Sequence, residues 1–214
     1  MRYDLIIFDN DGVLVDSEPI SNTMLAAYLT ELGHPTSYEE SLRDYMGGAM
    51  HRVHDLILER SGRRLPDDFD EIFHERVFAA FKRELEPMAG AVEVLEKLTA
   101  EAVPFCLASS GSHERIRVGH RKTGLDKWFD DERIFSSQDV GRGKPAPDLF
   151  LHAAERIGVA PDKCVVVEDS PLGVQAALAA GMDVCGFTAM TPVERLRDAT
   201  QLFSDLRALP DLLV

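Results

Sequence analysis

The chain repeatedly sets a short apolar run directly ahead of a polar cluster, and this pattern constrains its fold more than any bulk property. Residues 4 to 8 read Asp-Leu-Ile-Ile-Phe and stop at Asp9-Asn10-Asp11-Gly12. Pro104 to Ala108 leads into Ser109-Ser110-Gly111, and Val165 to Val167 into Glu168-Asp169-Ser170. Ile134 with Phe135, and Val184 to Phe187, are two further runs. Each is too brief for a helix and lacks the polar alternation of a half-exposed strand, so each reads as a buried strand. Between them the spacing turns helical. Val92, Leu95 and Leu98 share a face; Leu149, Phe150, Ala153 and Ile157 do so ahead of Gly158; Val174 to Ala180 precede Gly181. Strand and helix in alternation predict an α/β fold, a doubly wound parallel sheet with right-handed crossovers.

One long stretch breaks the alternation. Met24, Leu25, Tyr28, Leu29 and Leu32 form a helical stripe ended by Gly33, and Ser37 with Glu40 has the spacing of a capping box. Val53, Leu56, Ile57 and Arg60 continue the helical pattern, and Phe69, Ile72, Phe73, Val77 and Phe81 make a last stripe that ends near Pro87. The expected organisation is therefore a helical domain, residues 16–88, inserted after the first strand of an α/β core made of residues 1–15 and 89–214.

The chain has 214 residues, 45% of them hydrophobic, which is enough for a substantial core. Its 37 acidic against 23 basic residues give a net charge of −14. That field repels nucleic acid and anionic membrane surfaces, so neither is an expected partner. It equally repels a phosphorylated small molecule, so any anion site must be built locally from a cation, a lysine and backbone amides. Cys106, Cys164 and Cys185 lie in apolar runs without paired spacing and read as buried reduced thiols. No stretch approaches the ~20 apolar residues of a membrane span, and a cytoplasmic monomer or small homo-oligomer is the expectation.

In open parallel sheets, ligands bind beyond the carboxyl ends of the strands. Four segments deliver polar groups there: Asp9 to Gly12, Ser109 to Gly111, Lys144 with Pro145, and Glu168 to Ser170. Singly, each has a structural explanation as a turn, a helix start or a solvated cap. Together they place three or four carboxylates at one sheet edge. Two charges about 4 Å apart repel by roughly 4 kcal/mol at an effective dielectric near 20, and a divalent cation relieves this. Oxygen ligands without histidine or cysteine favour magnesium over zinc.

The run Phe8-Asp9-Asn10-Asp11-Gly12-Val13-Leu14-Val15-Asp16-Ser17-Glu18 resembles the first motif of the haloacid dehalogenase-like hydrolases, and Ser109, Lys144 and Glu168-Asp169 resemble its later motifs in order. The likeness spans nearly the whole chain and points to the branch with a helical cap, which includes sugar phosphatases, phosphogluconate phosphatases and β-phosphoglucomutase. It implies that Asp9 attacks phosphorus to form an aspartyl-phosphate, and that Asp11 protonates the leaving oxygen and then activates water. It implies that Ser109, with the amides of Asn10 and Ser110 and the neighbouring Gly111, binds the phosphoryl oxygens, and that Lys144 supplies fixed positive charge. Magnesium would be held by Asp9, the Asp11 carbonyl, Asp169 and Glu168, the last directly or through water.

Within the family, dehalogenases lack an acid at the position of Asp11, and phosphonatases use a cap lysine where this chain has none between Met1 and Phe81. β-Phosphoglucomutase carries a histidine where Ser21 stands, and its substrate loop is only approximated by Met46 to Arg52. The expected function is a phosphatase for a sugar phosphate or sugar-acid phosphate. A phosphosugar mutase is the alternative, and a non-catalytic phosphate-metabolite binder is the alternative of another class. Substrate choice is expected from the inserted domain, with Gly48, His51 and Arg52 as candidate contacts. His34, His74, His113, His120 and His152 lack ligand spacing and read as surface or structural residues.

Overall fold

The computed structural model describes residues 2–45 and 50–213. Strands β1 Leu5–Phe8, β2 Phe105–Ser109, β3 Ile134–Ser136, β4 Cys164–Glu168, β5 Asp183–Phe187 and β6 Gln201–Phe203 form one sheet in the order β3-β2-β1-β4-β5-β6. Every neighbouring pair is parallel. The chain divides into two compact units, residues 1–16 with 86–214, and residues 17–85.

The helical unit contains α1 Glu18–Glu31, α2 Tyr38–Tyr45, α3 Met50–Ser61 and α4 Phe69–Glu84. Tyr28 of α1 stacks on Phe69 of α4 with ring centres 4.9 Å apart, and buried Ser41 of α2 donates to Asn22 Oδ1 of α1 at 2.9 Å. The capping box at the start of α2 is formed: Ser37 N–H donates to Glu40 Oε2 at 2.8 Å, and Glu40 N–H to Ser37 Oγ at 3.1 Å.

The sheet unit adds α5 Ala91–Ala100, α6 His113–Thr123, α7 Asp148–Ile157, α8 Pro171–Ala179 and the single turn α9 Leu209–Leu212. The doubly wound α/β class read from the sequence is the one observed. Leu5 and Ile7 of β1, Cys106 and Ala108 of β2 and Val166 of β4 share one core cluster with Leu149, Phe150 and Ala153 of α7 and Val174 and Ala177 of α8. A fully buried Leu or Phe of this kind contributes roughly 1.5–3 kcal/mol by leaving water. All three cysteines are free and buried, and burial pushes their thiols well above the ordinary range, as the apolar runs around them implied. No described helix is long and apolar enough to cross a membrane.

Three elements escaped the sequence reading: β6, α6 and the single turn α9. β6 is three residues long, and its central Leu202 is exposed at the sheet edge, so it has too few residues for a buried-run pattern. α6 reads His-Glu-Arg-Ile-Arg-Val-Gly-His-Arg-Lys-Thr, in which Ile116 and Val118 are the apolar side chains, and its inner face is completed by Gly119 and His120.

Register decides where the chemistry falls. Phe8 of β1 is level with Leu107 of β2 and Val167 of β4. Asp9 and Glu168 thus lie one residue, and Ser109 two residues, beyond the same line. β1 is central because the chain builds outward through β2 and β3, then returns across β1 to build β4, β5 and β6. This reversal is the topological switch point where parallel sheets bind ligands.

Candidate active site

The turn after β1 is tied by its own backbone. Asn10 carbonyl accepts N–H groups from Leu14 at 2.9 Å and Val15 at 3.0 Å, while Gly12 N–H donates to Val15 carbonyl at 2.9 Å. Gly12 has φ +79°, and a Cβ there would fall 2.1 Å from Asp169 Oδ2. Glycine at this position both permits the left-handed turn and lets Asp169 approach the first loop.

Asp9 and Glu168 flank the ammonium of Lys144, whose Nζ donates to Asp9 Oδ1 and Glu168 Oε1 at 2.6 Å each and to Ala108 carbonyl at 3.2 Å. All three side chains are buried, Lys144 with only 6% exposure and Glu168 with 1%. Burial alone pulls the Lys144 ammonium down, but the two carboxylates outweigh it and carry the group above its ordinary value. Burial pushes the Asp9 carboxyl up; Lys144 opposes that rise, and Glu168 and Asp11 add to it. The other Glu168 oxygen, Oε2, accepts from Ser170 N–H at 2.8 Å and Ser170 Oγ at 2.9 Å, while that same Oγ caps α8 by accepting Gly173 N–H at 3.0 Å.

Carboxylate oxygens of Asp9, Glu168 and Asp169 lie within 4.8 Å of one another, and all three residues are buried. Against them stands the single ammonium of Lys144, so the cluster carries two net negative charges when all are ionised. An all-oxygen donor set with residual negative charge fits a hard cation.

Glu168 fits only because Gly173 has no side chain: a Cβ there would lie 1.7 Å from Glu168 Oε1. Gly173→Ala should therefore cost about 3 kcal/mol, at the upper end for overpacking, because Glu168 is held from both oxygens. Urea unfolding measures this, and an unchanged midpoint would mean that Glu168 has room to move.

Asp11 stands on the other side of the turn. Its Oδ1 accepts from Arg115 Nη2 at 2.8 Å, and its Oδ2 from Ser109 Oγ at 3.4 Å and Asn10 Nδ2 at 3.3 Å. Ser109 is buried and its Oγ accepts Gly111 N–H at 3.0 Å. The loop after β2 is pinned from β3, since Ser136 Oγ donates to Gly111 carbonyl at 2.6 Å and Ser137 Oγ to Ser110 carbonyl at 2.8 Å. Ser112 then caps α6 by accepting Arg115 N–H at 3.2 Å, which sets Arg115 one turn into the helix.

The sheet edge thus brings together Asp9, Asn10, Asp11, Ser109, Ser110, Gly111, Lys144, Glu168 and Asp169. His51 and Arg52 are exposed on α3 of the helical unit, where Arg52 Nε donates to Asp44 carbonyl at 2.8 Å. Gly48, with Met46, Gly47 and Ala49, lies outside the described residues. Sequence reasoning missed Arg115, Gly173, the bonds from Ser170 to Glu168 and the partnership of Asn10 with His120. His120 is 1% exposed and so is not a surface residue, and its spacing from Ile116 on α6 was the available signal.

Comparison with known proteins identifies the family. A 6-phosphogluconate phosphatase of Escherichia coli (strain K12) is 31% identical over 99% of this chain and 95% of its own length. Hexitol phosphatase A of the same organism is 30% identical over 98% of this chain and 94% of its own. A HAD family hydrolase from Deinococcus radiodurans R1, solved with bound phosphate and sodium, superposes with a TM-score of 0.83 at 31% identity, over 99% of this chain and 95% of that one. The haloacid dehalogenase-like hydrolase family model matches residues 3–181, a span that contains every residue of the sheet-edge cluster. With fold, edge cluster and family match in agreement, this chain belongs to the haloacid dehalogenase-like hydrolases.

Proposed function

We propose that the chain is a magnesium-dependent phosphoric monoester hydrolase that removes phosphate from a small phosphorylated metabolite, a sugar phosphate or sugar-acid phosphate. The observation that carries this is the buried Asp9–Lys144–Glu168 arrangement, with Asp169 beside it, at the switch point of the sheet. The names of the two Escherichia coli relatives support the substrate class.

In this reading Asp9 Oδ attacks phosphorus as the ester oxygen departs, and Asp11 gives that oxygen its proton, releasing the alcohol and leaving an aspartyl-phosphate. Asp11, now a carboxylate, takes a proton from the water that attacks the same phosphorus. Inorganic phosphate leaves and Asp9 is regenerated. Lys144 holds the attacking carboxylate in place and neutralises charge on the transferring group, while Ser109 with the amides of Asn10 and Ser110 orients the phosphoryl oxygens. Asp9, the Asp11 carbonyl, Asp169 and Glu168 would hold magnesium, whose charge would reduce the repulsion between the attacking carboxylate and the phosphoryl oxygens.

Hydrolysis of 4-nitrophenyl phosphate and of a panel of hexose, hexitol and sugar-acid phosphates tests the proposal. We expect turnover with magnesium, loss with a chelator, and inactivation by beryllium fluoride bound to Asp9. A protein that binds these esters without hydrolysing any would refute the catalytic reading. Interconversion of β-glucose 1-phosphate with a bisphosphate primer would indicate a mutase instead.

A further inference from the structure

We propose that His120 and the Asn10 side chain form a buried strut that positions the Asp11 carboxylate for proton transfer, which makes His120 a positioning residue of the reaction. This inference rests on the phosphatase reading above.

The hydrogen-bond directions can be assigned from chemistry. In its ionised form, the one that later takes a proton from water, Asp11 only accepts, so the Asn10 group facing its Oδ2 at 3.3 Å is the amide nitrogen. Asn10 Oδ1 is then the atom facing His120 Nε2 at 2.9 Å, and an amide oxygen also only accepts. Nε2 must therefore carry the ring hydrogen. Burial holds the His120 imidazole down to about 4, so the ring is neutral near pH 7 with that one proton. A single donor therefore runs from α6 into the middle residue of the Asp-Asn-Asp turn, and from there to Asp11.

A purely structural histidine explains less. His120 Nδ1 is buried without a partner among the described residues, an arrangement that costs free energy an apolar residue at the same place would avoid. What the imidazole supplies in return is the Nε2 bond to Asn10. That bond fixes which way the Asn10 amide points, and hence which atom meets Asp11. Arg115, from the same helix, holds the other Asp11 oxygen at 2.8 Å. The carboxylate is thus gripped from both sides by groups that α6 places. Proton transfer to a leaving oxygen needs the donor within hydrogen-bond reach, so losing one grip degrades the transfer more than it degrades binding.

The test compares kcat/KM for glycerol 2-phosphate, whose alkoxide leaving group needs a proton, with that for 4-nitrophenyl phosphate, whose phenolate leaves with little help. His120→Leu should lower the first about 10-fold and the second less than about 2-fold, with KM little changed. His120→Gln, which keeps a nitrogen donor near the Nε2 position, should return to within about 2-fold of wild type. Asn10→Leu combined with His120→Leu removes both polar partners. It should regain thermal stability relative to His120→Leu alone and be no slower, because the two residues act in series on Asp11. Equal losses on both esters, a rate that recovers with stability in the double variant, or wild-type activity confined to the aryl ester would overturn the inference. Wild type inactive on both esters would overturn this inference, and inactivity extending to every sugar phosphate of the panel above would overturn the phosphatase reading with it, whereas wild type active on both with His120→Leu unaltered would overturn the inference alone.

Discussion

Asp9→Asn should lose at least ~10⁴-fold in turnover while remaining folded, because the substitution removes the nucleophile and little else. The amide keeps the shape of the carboxyl, and its Oδ1 can still accept from Lys144 Nζ, which lies 2.6 Å from Asp9 Oδ1. The change even spares the fold the cost of burying one charge, since burial is the main cause that raises the Asp9 carboxyl. Steady-state assay with 4-nitrophenyl phosphate, paired with thermal unfolding, separates the two properties. Residual activity within ten-fold of wild type in a properly folded variant would remove Asp9 from its assigned role.

Lys144→Met has the opposite character and should damage stability as well as rate. Removing one member of a buried ion network typically costs 3–5 kcal/mol, because the remaining charges lose their compensation. Here Asp9 and Glu168 would face each other across the space that Nζ bridges at 2.6 Å to each. Without the ammonium, the one influence that opposes the rise of the Asp9 carboxyl is gone, and burial pushes that group further above its ordinary value. The folded variant then binds more protons than its unfolded chain, and its stability rises as pH falls from the folded value toward the usual carboxylate range. Thermal unfolding of Lys144→Met should accordingly improve on acidification from pH 8 to 6. It should also gain more from added magnesium than wild type does, because a cation among Asp9, Glu168 and Asp169 would take over part of the lost compensation. A variant as stable as wild type at pH 8, or indifferent to magnesium, would show that this cluster does not depend on Lys144 for its charge balance.

Much of this arrangement was legible in the chain. Runs such as Leu5–Phe8 are buried on both sides, so their residues are uniformly apolar, and uniform apolarity over four or five residues marks a strand of a parallel sheet without further information. The polar clusters that follow them are equally conspicuous, because the residue after a buried strand is the first that can carry chemistry. Asp9, Ser109 and Glu168 were readable for that reason, and Gly158 and Gly181 marked helix ends because the left-handed backbone they adopt excludes most other residues.

Other features had no local signature. Ser170 looks like an ordinary helix cap, and only the folded chain turns its N–H and Oγ onto Glu168. Gly173 looks like a weak point in a helix until the Glu168 side chain is seen to occupy the space a Cβ would take. Arg115 and His120 sit in a helix rich in charge, where solvent exposure is the ordinary expectation. Their partners Asp11 and Asn10 lie 104 and 110 residues away in the chain. By itself, then, the sequence determined the parallel sheet, the edge at which its polar side chains gather, and the family. The tertiary structure decided which groups neutralise, orient and hold the two aspartates, because strand register and helix docking bring those groups together across distances that no local pattern spans.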